Sequence, residues 1–77
     1  MGQLEHIKKS AVIKRSILIN GHKTSVSLEN EFWRGLHELA RCKSIPEAKL
    51  VQQIDRDRDN VNLSSAIRIF VFNQLKK

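Results

Sequence analysis

The chain has 77 residues, a mass of 8.9 kDa and a net charge of +6 with neutral histidines. That length holds a single domain, and an apolar share of 40% beside 29% charged residues fits a folded domain and excludes a disordered tail. The only cysteine, Cys42, rules out an intramolecular disulfide framework and suits a reducing cytoplasm, while the longest apolar runs, such as Ile17-Leu18-Ile19 and Ile69-Phe70-Val71-Phe72, are too short to cross a membrane.

Residues 1–14 show no clear period and carry Lys8, Lys9 and Lys14, which predicts a flexible basic arm; charge in place of an apolar core argues against a signal peptide there. The pattern changes at Arg15, and residues 15–77 are expected to form the domain. Ile17 and Ile19 alternate with Ser16 and Leu18, and Thr24, Val26 and Leu28 alternate with Lys23, Ser25 and Ser27. Between them Asn20-Gly21 is a strong two-residue hairpin signal, because a type I′ turn needs positive φ at both positions. With Ile19 opposite His22 and Ile17 opposite Thr24, one face holds Ile17, Ile19, Thr24, Val26 and Leu28. The other holds Ser16, Leu18, Asn20, Lys23, Ser25 and Ser27, with Leu18 the misfit on a polar surface.

Phe32, Leu36, Leu39 and Ala40 recur at helical spacing with Trp33 on the flank. They predict a helix from about Glu29 to Cys42, capped by Ser27, with Glu29 and Glu31 complementing its dipole. Ser44-Ile45-Pro46-Glu47 reads as a capping box with proline in the first turn. It predicts a second helix to about Arg56 on the stripe Ala48, Val51 and Ile54, with Leu50. Residues 57–62 are polar and turn-like. Asn62 or Ser64 can cap a third helix through about Leu75, although β-branched and aromatic residues dominate Ile67 to Phe72 and keep a strand as the rival reading.

A chain this short buries only about 60% of its unfolded surface, so association is the expected staple. The candidate dimer core is Val26 and Leu28 from the strand, with Phe32, Trp33, Leu36, Leu39, Val51 and Ile54 from the helices. The basic excess sits at the two ends, with +3 over residues 1–21 and +3 over residues 61–77. Polyanions such as nucleic acid suit that arrangement, although solubility alone accounts for a charge of this size. His6, His22, His37 and Cys42 are the soft-metal candidates; no pair has ligand-like spacing, so no metal and no cofactor are expected. No base is placed for Ser64-Ser65, so no catalytic residue and no small-molecule substrate are expected either. Cys42 is read as a small buried residue ending the first helix, and residues 55–59 as a solvated face.

The order of a polar-alternating strand, a helix, a short turn and a second helix resembles the ribbon-helix-helix family of bacterial DNA-binding proteins. The match runs from Thr24-Ser25-Val26-Ser27-Leu28-Glu29 through Phe32-Trp33, Leu36 and Leu39-Ala40, then from Ser44 to Asp55. Arg15-Ser16-Ile17, Gly21-His22-Lys23, Leu50-Val51, Ile54-Asp55 and Asn62-Leu63-Ser64-Ser65-Ala66-Ile67-Arg68 with Phe70-Val71 resemble one small bacterial subfamily of it. The resemblance covers residues 15 to about 75. It implies a mostly α fold with a short β-ribbon, an N-terminal hairpin strand and an extra C-terminal helix, in a homodimer that could pair into a tetramer.

The resemblance also implies a mechanism. Two subunits would each give one strand to an antiparallel ribbon, which the DNA major groove admits. Lys23, Ser25 and Ser27 would then contact bases, and Arg15, His22, Lys43 and Ser44 would contact phosphates, the last two through the mouth of the second helix. The strand around Arg15 to Ile19 would crowd or widen that ribbon. The implied function is a transcriptional regulator. The alternative is an oligomerisation or antitoxin-like interaction module without sequence-specific DNA reading.

Overall fold

Polar–apolar alternation builds the first two elements. The computed structural model describes residues 11–76, so most of the expected arm lies outside the described residues. Strands β1 (Val12–Ile19) and β2 (His22–Glu29) form an antiparallel hairpin. Asn20 at φ 51 and Gly21 at φ 83 make the turn, and the register sets Ile19 opposite His22 and Ile17 opposite Thr24 as expected. The strand starts at Val12, not at Arg15, so residues 12–14 belong to the sheet and not to an arm. Arg15 hid this from the sequence. It is a long cation on the apolar face, opposite Val26, and its guanidinium lies 5.0 Å from the centre of the Trp33 ring.

Helix α1 (Asn30–Cys42) follows directly. Ser27 does not cap it, because Ser27 lies inside β2; the N-cap is Glu29, with no side-chain cap bond. Helix α2 spans Glu47–Asp57 with Pro46 as its N-cap. The expected capping box at Ser44 is absent. Ser44 instead has φ 58 and closes α1: its N–H donates to Arg41 O and the Ile45 N–H donates to Ala40 O, both at 3.0 Å. That pair of bonds is a Schellman closure with serine in the left-handed position usually given to glycine. Helix α3 (Leu63–Lys76) is helical, not a strand, and Asn62 Oδ1 caps it by accepting from the Ser65 N–H at 2.9 Å. Between α2 and α3, Arg58 donates to Asp55 at 2.7 Å and to the Val61 carbonyl at 2.8 Å. Residues 55–59 therefore hold a turn in place and are more than a solvated face.

The core contains Ile19, Val26 and Leu28 of the hairpin, Trp33, Leu36 and Ala40 of α1, Leu50, Val51 and Ile54 of α2, and Ile67 and Val71 of α3. The candidate dimer core is thus largely buried by the chain itself, with Phe32 and Leu39 half-buried. The hairpin and α3 supply the cover that was expected from a partner. Gly35 lets α3 approach α1: a Cβ there would stand 2.7 Å from Val71 Cγ1. Cys42 is exposed, not buried. It lies two residues, about 200° of helix, beyond the inward-facing Ala40. No helix among the described residues is long and apolar enough to cross a membrane.

Candidate nucleic-acid interface

The hairpin turns its apolar side to the helices and leaves a polar surface outward. Cross-strand partners share a face, so the register puts Lys14 beside Ser27, Ser16 beside Ser25 and Leu18 beside Lys23 on that surface. Lys14, Ser16, Leu18, Lys23 and Ser25 are exposed and Ser27 is half-exposed. The structure therefore brings together the three base-contact candidates, Lys23, Ser25 and Ser27. It adds Lys14 and Ser16 from the neighbouring strand. Ser16 was legible from the hairpin register, whereas Lys14 lay in a stretch read as an arm.

The phosphate candidates do not converge. Arg15 belongs to the opposite face of β1, over Trp33. His22 pairs with Ile19, also off the polar face by register, and is exposed at the turn. Lys43 and Ser44 are exposed where α1 ends. The Lys43, Ser44 and Ile45 N–H groups are spent on the carbonyls of Leu39, Arg41 and Ala40. The mouth of α2 therefore does not offer the Ser44 and Ile45 amides to a phosphate; of the expected phosphate contacts there, the Lys43 ammonium and the Ser44 hydroxyl are exposed. Glu47, in the first turn of α2, meets His37 Nδ1 at 2.7 Å.

Besides the apolar packing of Ile19, Val26 and Leu28, polar and ring contacts hold the ribbon to the helical body. Trp33 Nε1 donates to the Ile13 carbonyl at 2.8 Å, and Arg15 stacks on the same indole. At the junction of β2 and α1, Arg68 of α3 donates to both carboxylate oxygens of Glu29, at 2.8 and 3.4 Å, and its guanidinium also lies 5.9 Å from the Phe32 ring centre. The Arg68 hydrogen bonds, with the Glu29 backbone bond and the nearby positive charge, lower the Glu29 pKa. Sequence reading missed this pair, because an ion pair spanning 39 positions leaves no periodic signal.

The outer edge of β2 carries no strand among the described residues. In a two-residue hairpin the pair flanking the turn exchanges backbone bonds, and the Asn30 N–H to Ala11 O bond at 3.2 Å keeps that parity. The backbone groups of Lys23, Ser25 and Ser27 consequently point away from β1. The described residues contain no group of three or more His, Cys, Asp or Glu side chains able to hold a metal ion.

Searches of curated proteins and of solved structures give no match. A family model described as a ribbon-helix-helix domain matches residues 12–75, from the first residue of β1 almost to the end of α3. That fold is a regulatory DNA-binding one and not an enzyme. With a two-stranded ribbon followed by helices in the order that match requires, the chain belongs to the ribbon-helix-helix domain family.

Proposed function

We propose that the chain is a cytoplasmic, homodimeric DNA-binding transcription regulator that sets its β-ribbon in the major groove. The observation that carries this reading is the outward face of the hairpin, where Lys14, Ser16, Lys23, Ser25 and Ser27 stand together on a two-stranded ribbon. Adjacent strands lie about 4.8 Å apart, so such a ribbon fits a groove about 12 Å wide. Lys23 has the reach to donate to guanine O6 or N7, and the serines can donate or accept. Lys43 and Ser44, exposed at the end of α1, suit a backbone phosphate.

Dimerisation is typical of the family, and the width of the groove limits where two copies can meet. Pairing two copies through β2 would make a four-stranded sheet, with outer strands about 14 Å apart. That is wider than the groove admits as a flat insert. Contact through the helical body leaves each hairpin free, and there Val61, Ile69 and Phe72 are exposed. The unpaired β2 edge favours the second reading, an oligomerisation module without DNA reading.

A salt series against random and selected duplexes separates the two readings. Lys23→Ala is expected to lower discrimination between duplexes by about 1–3 kcal/mol. Lys43→Ala is expected to weaken all duplexes alike and lower the salt slope by about one unit. If the parent protein binds no duplex at low salt, the oligomerisation module replaces the regulator.

A further inference from the structure

Helix α3 is apolar on two opposite sides. Ile67 and Val71 are buried in the core, while Ile69, two residues or about 200° of helix from each, is 52% exposed. Ser65, Ile69 and Phe72 recur along the outward side at spacings of four and three, the spacing of a helix-pairing seam. Of the five large apolar residues exposed among the described residues, Val61, Ile69 and Phe72 belong to α3 and the loop before it. Beside that ridge a groove of about 400 Å³ runs between α2 and α3, walled by Leu50 and Ile54 on one side and by Ala66, Ile69 and Phe70 on the other. The loop at its end is pinned by the bonds from Arg58 to Asp55 and to the Val61 carbonyl, so the groove is preformed. We infer that this surface is a homotypic interface, in which α3 of a second copy lies antiparallel in the groove and takes this chain's α3 into its own. The inference rests on the homodimer of the proposed reading and names the surface where its copies meet.

Two observations favour a second copy over any other occupant. The ridge and the groove are neighbouring parts of one surface, so a two-fold axis makes that surface complementary to itself. A foreign helix would fill the groove and leave the ridge wet. Charge then selects the direction. Residues 44–60 hold three basic and four acidic residues, whereas residues 61–77 hold three basic residues and no acid. Asp57 and Asp59 line the groove at the end where α3 begins. An antiparallel second α3 brings its basic C-terminal end to those carboxylates, and the two helix dipoles run in opposition. The contact uses neither the hairpin nor the open edge of β2.

The test is the association state of the full chain, read by sedimentation from low micromolar to millimolar concentration, and DNA plays no part in it. Ile69→Ser is expected to raise the dimer dissociation constant about tenfold or more and, at an exposed position, to keep the parent circular-dichroism spectrum. Position 69 is in the middle of the ridge and therefore near the two-fold axis. Helix axes about 8–10 Å apart leave Cα atoms there within disulfide reach. Ile69→Cys in a Cys42→Ser background is thus expected to give a covalent dimer on mild oxidation, faster than Leu18→Cys in the same background. If Ile69→Ser loses helix, the cross-linking comparison decides alone. A parent dimer that Ile69→Ser leaves at full strength overturns the interface alone and moves the contact elsewhere. An Ile69→Cys chain that links no faster than Leu18→Cys does the same. Parent protein that stays monomeric throughout overturns the interface and the homodimer together.

Discussion

At the scale of single residues, Gly35 has no room for a side chain. Gly35→Ala would drive its methyl into Val71 Cγ1, which lies 2.7 Å from that position, and α3 would have to shift. A loss of about 1–3 kcal/mol in thermal or denaturant unfolding is expected, with partial recovery in the double variant Gly35→Ala, Val71→Ala. Ser44 offers the opposite case. Its φ of 58 costs an L-residue about 1–2 kcal/mol, so Ser44→Gly is expected to raise the melting temperature by relieving part of that cost. Glu29 makes the stability depend on pH. Its folded pKa is lowered, chiefly by the Arg68 hydrogen bond. The stability it contributes is therefore full above the ordinary glutamate pKa and is lost as the pH falls through the folded value. Glu29→Gln should melt below the parent at pH 7, with the gap narrowing below about pH 4. A gap that persists unchanged in acid would show that the charge is not what Arg68 holds.

Among the elements, the hairpin was the most legible. Asn20-Gly21 fixed the turn, and with a period of two the turn fixed every partner from Ile19–His22 outward. The caps of the first two helices were misread for a shared reason, whereas Asn62, one of the two candidates for the third, does cap it. Serine is a favoured cap and also a tolerable strand or left-handed residue, and local pattern does not say which use applies. Ser27 went to the strand and Ser44 to the closure of α1. For α3 the composition suggested either structure, and the burial pattern explains why it is a helix. Ile67 and Val71, one turn apart, are fully buried, while Ile69 is 52% exposed. Ile67→Asp should therefore unfold the chain, since a buried unpaired charge costs several kcal/mol. Ile69→Asp should leave the fold intact and weaken the proposed dimer, as read by sedimentation at matched concentrations. A dimer undisturbed by Ile69→Asp would move the subunit contact away from the exposed face of α3.

For the whole molecule, the sequence pointed to most of the buried residues, Cys42 excepted, but not to which chain buries them. An amphipathic stripe such as Leu36, Val51 and Ile54 needs a cover, and a partner subunit and a third helix look identical in one dimension. The chain provides its own cover, so the proposed dimer is expected to dissociate on dilution into monomers that stay folded. Sedimentation with parallel far-ultraviolet circular dichroism checks this. Coupled loss of helix and dimer would mean that the subunit contact is part of the core after all.

The bond between Arg68 and Glu29 has a consequence for how the protein is made. A ribosome delivers the hairpin and α1 first, and Arg68 is joined 39 residues after Glu29. Until α3 clears the exit tunnel, Val71 is not yet against Gly35 and the ribbon lacks its Arg68 attachment. At roughly 5–20 residues per second, that interval lasts a few seconds. During it the half-made chain carries an unpaired strand edge and an uncovered apolar face, which is when edge-to-edge association with another nascent copy is easiest. Helix α3, the latest of the described helices to be made, is thus the one that closes the fold.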